Sequence, residues 1–147
     1  MINLYTIGFT KKSAEQFFEL LKKYQVKKLI DIRINNSSQL AGFAKGIDLS
    51  YFAKQICGIG YAHVVDFAPT KELLSDYRKK NVDWLEYQRI YRKLMESRNI
   101  SQKYKTENFD GACFLCSEET PDQCHRRLLV AYFKEISPEE VQIVHIK

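Results

Sequence analysis

No stretch of this 147-residue chain approaches the ~20 consecutive apolar residues that a membrane-spanning helix requires, so a helical membrane protein is excluded. The start, Met1-Ile2-Asn3-Leu4-Tyr5, lacks the basic residues and apolar run of a secretory signal, and a cytoplasmic protein is expected. Internal repeats and low-complexity tracts are missing, which argues against solenoids and disordered linkers. Cysteine is sparse, with only Cys57, Cys113, Cys116 and Cys124. In a reducing compartment these four are expected to be reduced thiols or ligands rather than a disulfide framework.

What is present fits one ordinary domain spanning residues 1–147. Apolar residues make up 45% and charged residues 28%, the balance of a soluble globular chain. The net charge of +5 favours anionic partners such as nucleotides or nucleic acid. The lysine pairs Lys11-Lys12, Lys22-Lys23, Lys27-Lys28 and Lys79-Lys80 read equally well as a solvated surface.

Along the chain, Ile2 to Ile7 reads as a strand stopped by Gly8. Ser13 and Gln16 form a capping box ahead of Phe17, Leu20, Leu21 and Tyr24, which recur at helical spacing. Lys28 to Ile34 is a second strand, followed by a polar loop from Asn35 to Gly46. Asp48 is expected to cap a helix presenting Leu49, Phe52, Ala53 and Ile56, with Gly58 past its end. Tyr61 to Phe67 reads as a third strand. Helices follow from Pro69 to about Lys80, and from Asp83 through Trp84, Tyr87, Tyr91 and Leu94. Asn99 to Asp110 is a polar connection. Gly111 to Cys116 is a fourth strand, Leu128 to Ile136 a helix, and Val141 to Ile146 a fifth strand. Thr120 and Asp122 are rival caps for that helix, and Pro121 suits its first turn. The alternation predicts an α/β fold: a single three-layer domain of about five mostly parallel strands with helices on both faces.

Open α/β sheets bind ligands beyond the carboxyl ends of their strands. That rim would collect Thr6, Gly8, Phe9 and Thr10, then Asp31 and Arg33, then Tyr61, His63 and Asp66, then Cys116 and Glu118. Asp31 and Arg33 share a strand face, and such charges are costly inside unless paired or at the strand end.

The richest segment is Cys116 to Arg126. It packs thiols, carboxylates, an imidazole and a guanidinium into one strand-to-helix turn, where helix N–H groups favour an anion. At ~100° per residue, His125, Leu129, Tyr132 and Ile136 face the sheet, Cys124 and Arg126 flank that face, and Arg127 points out. His125 reads either as a site histidine or as a core histidine bonded to a backbone carbonyl. Arg126 reads as an anion ligand or as the ion-pair partner of Glu118 or Asp31. Cys113 lies three residues from Cys116 in a strand, so the two face opposite sides and Cys113 is a buried hydrophobe. Cys116, Cys124, His125 and Glu118 remain a possible ligand set, but their spacing is no standard zinc pattern and no metal ligand is assigned. A thiol near a helix start and a guanidinium favours its thiolate, which makes Cys116 or Cys124 a nucleophile candidate. No glycine lies between Cys116 and Arg126, so the loop cannot wrap as tightly as a phosphatase or sulfurtransferase loop.

Five motifs in order carry a resemblance: Thr6-Ile7-Gly8, Asp31-Ile32-Arg33, Tyr61-Ala62-His63, Cys116-Ser117-Glu118 and Cys124-His125-Arg126. Together they resemble the family of domain of unknown function 488. Phe9 stands where that family usually has histidine, and Ile34-Asn35-Asn36 where a proline usually follows. The resemblance implies an α/β fold with a common rim site and supplies no reaction.

The residues themselves point to a cytoplasmic enzyme acting on an anionic small molecule or nucleic acid, of the hydrolase or transferase kind on a phosphate-bearing substrate. The expected catalytic set is His125, Glu118, Cys116, Asp31 and His63. The expected substrate-binding set is Thr6, Gly8, Arg33, Tyr61, Cys124 and Arg126. Two alternatives stand beside it: a non-catalytic nucleic-acid-binding module, and a metal or thiol-redox site at Cys116, Cys124 and His125. The residues name no cofactor.

Overall fold

A computed structural model describes residues 1–37, 42–117 and 122–147. Among these, five strands form one sheet: β1 (Ile2–Gly8), β2 (Lys28–Asp31), β3 (Gly60–His63), β4 (Ala112–Cys116) and β5 (Val141–His145). The order is β3-β2-β4-β1-β5 and every pairing is parallel. The three-layer α/β architecture expected from the alternation is therefore present, and the terminal strands run with the rest.

β4 sits between β2 and β1 and is buried along its whole length, which is why its sequence is an unbroken apolar run. Helix α1 (Ala14–Lys23) opens on the Ser13–Gln16 capping box. It packs Phe17, Phe18 and Leu21 on one face of the sheet, together with Leu49 and Ala53 of α2 (Gly46–Phe52) and the π-turn Ala53–Cys57. The opposite face carries α3 (Lys71–Arg78), α4 (Trp84–Ser97), α5 (Ile100–Lys103) and α6 (His125–Ile136). Tyr87, Tyr91, Met95, Leu129 and Phe133 fill that core with Phe114 and Leu4.

Several expected boundaries move. β2 ends at Asp31 rather than Ile34, although Ile32 still donates to Leu115 O at 3.0 Å. β3 ends at His63, and Val65–Phe67 tightens into a 3-10 turn. Asp48 does not cap α2; it lies in the first turn, and Lys45 holds the cap position without a side-chain bond. Ile56 is exposed because the π-turn spends an extra residue and rotates it off the apolar face. The Asn99–Asp110 connection contains α5 and a 3-10 turn at Thr106–Phe109. Cys124, not Asp122, is the N-cap of α6, and it makes no side-chain cap bond. Thr120 and Pro121 lie outside the described residues.

One topological consequence positions the site. β2 and β4 are neighbours, yet β2 leads into α2 on one face and β4 leads into α6 on the other. The strand ends bearing Asp31 and Cys116 thus flank a point where chain connections diverge, the usual place for a crevice in such sheets.

Candidate functional site

The chemistry-bearing residues gather at this carboxyl edge in two adjoining groups, one on each face. The first is built on β2 and β3. Asp31 and His63 are register partners. Asp31 is fully buried and holds Arg33 in a fork, Nε to Oδ1 at 2.9 Å and Nη2 to Oδ2 at 2.7 Å. The Arg33 backbone N–H and the Tyr61 hydroxyl also donate to this carboxylate, at 3.1 and 2.5 Å. Burial, then the Asp31 carboxylate beside it, pushes the Tyr61 phenol well above its ordinary range. Arg33 further donates to Ala44 O at 2.7 Å and lies over the Phe9 ring, 5.1 Å from its centroid. Its Nη1 finds no hydrogen-bond partner among the described residues. His63 Nε2–H donates to Arg33 O at 2.6 Å, and Asn36 donates to the Tyr61 hydroxyl at 3.1 Å.

The second group sits under the start of α6. Cys116 ends β4 beside Gly8 of β1. The sulfurs of Cys116 and Cys124 meet across Cα atoms 7.9 Å apart. Cys57 and Cys113 are free thiols, in keeping with the expectation of reduced thiols or ligands, while Cys116 and Cys124 are brought side by side at the end of β4. Arg126 is corrected: it does not flank the inward face but is fully buried within it, and its Nη1 donates to Cys116 Sγ at 3.2 Å. Arg127 is exposed, as the helical geometry predicts. His125 is buried with Nε2–H donating to Ile32 O at 2.9 Å, and its Nδ1 stands 4.0 Å from Cys124 Sγ. Burial pushes its pKa down to about 4, so the ring is neutral at pH 7. Cys113 faces the other way, fully buried, with its thiol pKa pushed well up by that burial. Cys57 bonds Phe18 O at 3.6 Å and belongs to the packing of α1.

Other expected rim residues take these places. Thr6 is buried and shares a 2.6 Å hydrogen bond with His145 Nδ1. Thr10 donates through its N–H to Ser117 O at 3.1 Å and also through its hydroxyl, tying the end of β1 to the end of β4. Asp66 leaves the rim: beyond the end of β3 it accepts from Tyr104 at 2.8 Å and faces Lys103. Glu118 lies outside the described residues.

Sequence reading missed His145. It ends an edge strand next to Thr6, and burial followed by the charges of Arg126 and Arg127 lowers its pKa. Its place at the carboxyl end of a parallel strand was the available signal.

With this geometry in hand, the chain can be compared with known proteins. A family model described as "Domain of unknown function DUF488" matches residues 13–133. The chain belongs to the DUF488 family. The matched span contains the Asp31-Ile32-Arg33, Tyr61-Ala62-His63 and Cys124-His125-Arg126 motifs, which in this DUF488 member build both groups. No curated protein and no solved structure matches the chain. Phe9, just ahead of the matched span, supplies the ring under the Arg33 guanidinium. No described helix is long and apolar enough to cross a membrane.

Proposed function

We propose that this protein is a thiol enzyme whose reacting atom is the Cys116 sulfur and whose resolving partner is Cys124. One observation carries the reading: a buried guanidinium, Arg126, donates to Cys116 Sγ at 3.2 Å while Cys124 Sγ lies against the same atom. A nearby cation stabilises thiolate over thiol, and the thiolate is the nucleophile. In the reaction, the Cys116 thiolate attacks one sulfur of a substrate disulfide, and the substrate S–S bond breaks to release a thiolate. Cys124 thiolate then attacks Cys116 and expels the second substrate thiolate. The substrate gains two electrons and the cysteine pair loses them. A small-molecule thiol such as glutathione returns the pair to dithiols between turnovers: two such thiols give up two electrons and leave as their own disulfide. With a pKa near 4, His125 is a poor acceptor for a thiol proton at ~8.5, so it serves to position Cys124.

The test is a trap. Reduced Cys124→Ser protein, treated with oxidised glutathione, should accumulate a mixed disulfide on Cys116, read by peptide mass spectrometry. Wild-type protein should instead close Cys116 onto Cys124. Adducts on Cys57 alone, or none, would remove the proposal.

The Arg33 group favours a second reading, an anion-binding enzyme or nucleic-acid module. An Nη1 with no hydrogen-bond partner among the described residues, on an arginine with only 7% of its side chain exposed, supports it, as does the net charge of +5. Calorimetry with inorganic phosphate and with a short single-stranded oligonucleotide, at two ionic strengths, tests it. Binding that weakens with salt and disappears in Arg33→Met is expected, and heat independent of Arg33 would discard it.

A further inference from the structure

We infer that Cys116, Cys124 and His125, when the cysteines are reduced, form a zinc(II) site at the start of α6. The inference requires the pair to be reducible, as the thiol reading does, but not that it turns over a substrate. One ligand atom from each of the three side chains falls within 4.8 Å of the others, and all three residues are buried. Two thiolates and a neutral imidazole are donors that zinc prefers.

The imidazole is already set for this task. Its Nε2–H is fixed on Ile32 O at 2.9 Å, so the neutral ring carries its lone pair on Nδ1, 4.0 Å from Cys124 Sγ. Zinc–sulfur and zinc–nitrogen bonds of 2.0–2.3 Å place neighbouring tetrahedral ligands about 3.5–3.8 Å apart, close to that spacing. A ligating histidine commonly donates its other N–H to a backbone carbonyl, which orients it.

The cysteine backbones also leave room for an ion. Their Cα atoms stand 7.9 Å apart, wider than the roughly 4.4–6.8 Å that disulfides usually span. A small-molecule dithiol reduces the pair and leaves as its own disulfide; the sulfurs then separate, each thiol loses its proton to solvent, and the ion enters between them. Arg126, donating to Cys116 Sγ, offsets part of the thiolate charge. The three side chains leave a fourth tetrahedral position for water or a substrate atom, as catalytic zinc sites do. Cys124 follows Cys116 by eight positions, which is why the spacing resembles no zinc finger: strand end and helix start meet in space, not in a knuckle.

The experiment uses the whole reduced protein and zinc chloride alone, in competition with a chromophoric chelator. Stoichiometric zinc should be retained after gel filtration, and bound zinc should slow alkylation of Cys116 and Cys124 but not of Cys57. Cys124→Ser and His125→Gln should each weaken zinc by about tenfold or more. Cys57→Ser should leave it unchanged, and cobalt(II) in place of zinc should give a thiolate charge-transfer band. If stoichiometric zinc is not retained, or if zinc fails to protect Cys116 and Cys124 in the native protein, the site is refuted without recourse to any variant. Fast alkylation of Cys116 in metal-free protein, together with no zinc retention, would sink the metal site and leave the thiol reading standing. Zinc retention without a mixed disulfide in the trap would do the reverse.

Discussion

Arg126 and Cys116 are both buried, and the guanidinium donates to the sulfur at 3.2 Å. In the reduced protein, a cation this close to a sulfur stabilises its thiolate over its thiol. The pair therefore favours the charged sulfur, and each residue is a handle on the other.

Replacing Arg126 with Met retains much of the buried bulk and removes the charge. The rate of Cys116 alkylation by iodoacetamide at pH 7 should fall about tenfold or more, while Cys57 is unaffected. Arg126→Lys should not restore the rate, since a single ammonium cannot reproduce the planar fork. Peptide-resolved mass spectrometry over a time course measures both.

His125 makes stability depend on pH. Unfolded, the imidazole takes a proton near pH 6.5; folded, burial lowers that to about 4. Between those values the unfolded chain binds more protons, so stability is complete above about pH 6.5 and declines as pH falls toward 4. The full difference is about 3 kcal/mol. His145, lowered by burial and by Arg126 and Arg127, contributes with the same sign. Urea unfolding of metal-free protein at pH 7 and pH 4.5 measures the decline, and His125→Gln should flatten it.

Asp31 and Arg33 form a buried ion pair closed by two bonds. Asp31→Asn leaves the guanidinium without its counter-charge and should cost about 3–5 kcal/mol in urea unfolding. Combining it with Arg33→Met should recover a large part of that loss. Tyr61→Phe removes one hydrogen bond to the charge and should cost about 1.5–3 kcal/mol.

Phe9 lies 5.1 Å under Arg33. Phe9→Leu keeps the site apolar and removes the aromatic face, for an expected loss of about 1–2 kcal/mol. The loss should shrink in an Arg33→Met background, which a double-mutant cycle reads directly.

Much of the architecture was legible from periodicity and caps. Ser13 with Gln16, the Asp83 cap and the Gly58 stop act through local bonds that sequence encodes nearby. The alternation of elements carried the parallel sheet. Other features depend on tertiary contacts and were not readable. The π-turn at Ala53–Cys57 shifts Ile56 by one position, and no local signal announces it. Helical projection set His125 inward correctly but placed Arg126 at the flank, because the helix starts at His125 and its buried arc includes positions 126, 130 and 133. Strand alternation put Asp31 and Arg33 on one face near the rim, but their mutual fork was not read from it, and Ala44 O and Asn36 reach that group through a loop whose path sequence does not fix. The meeting of Cys116 with Cys124 required the fold of the turn itself.

The hydrogen bond from His125 reaches the Ile32 carbonyl from the α6 side of the sheet. Ile32 lies directly between Asp31 and Arg33 in the chain, and those two side chains project to the opposite side. Three consecutive residues, 31 to 33, thereby anchor both groups, their side chains holding the ion pair and their middle carbonyl holding the imidazole.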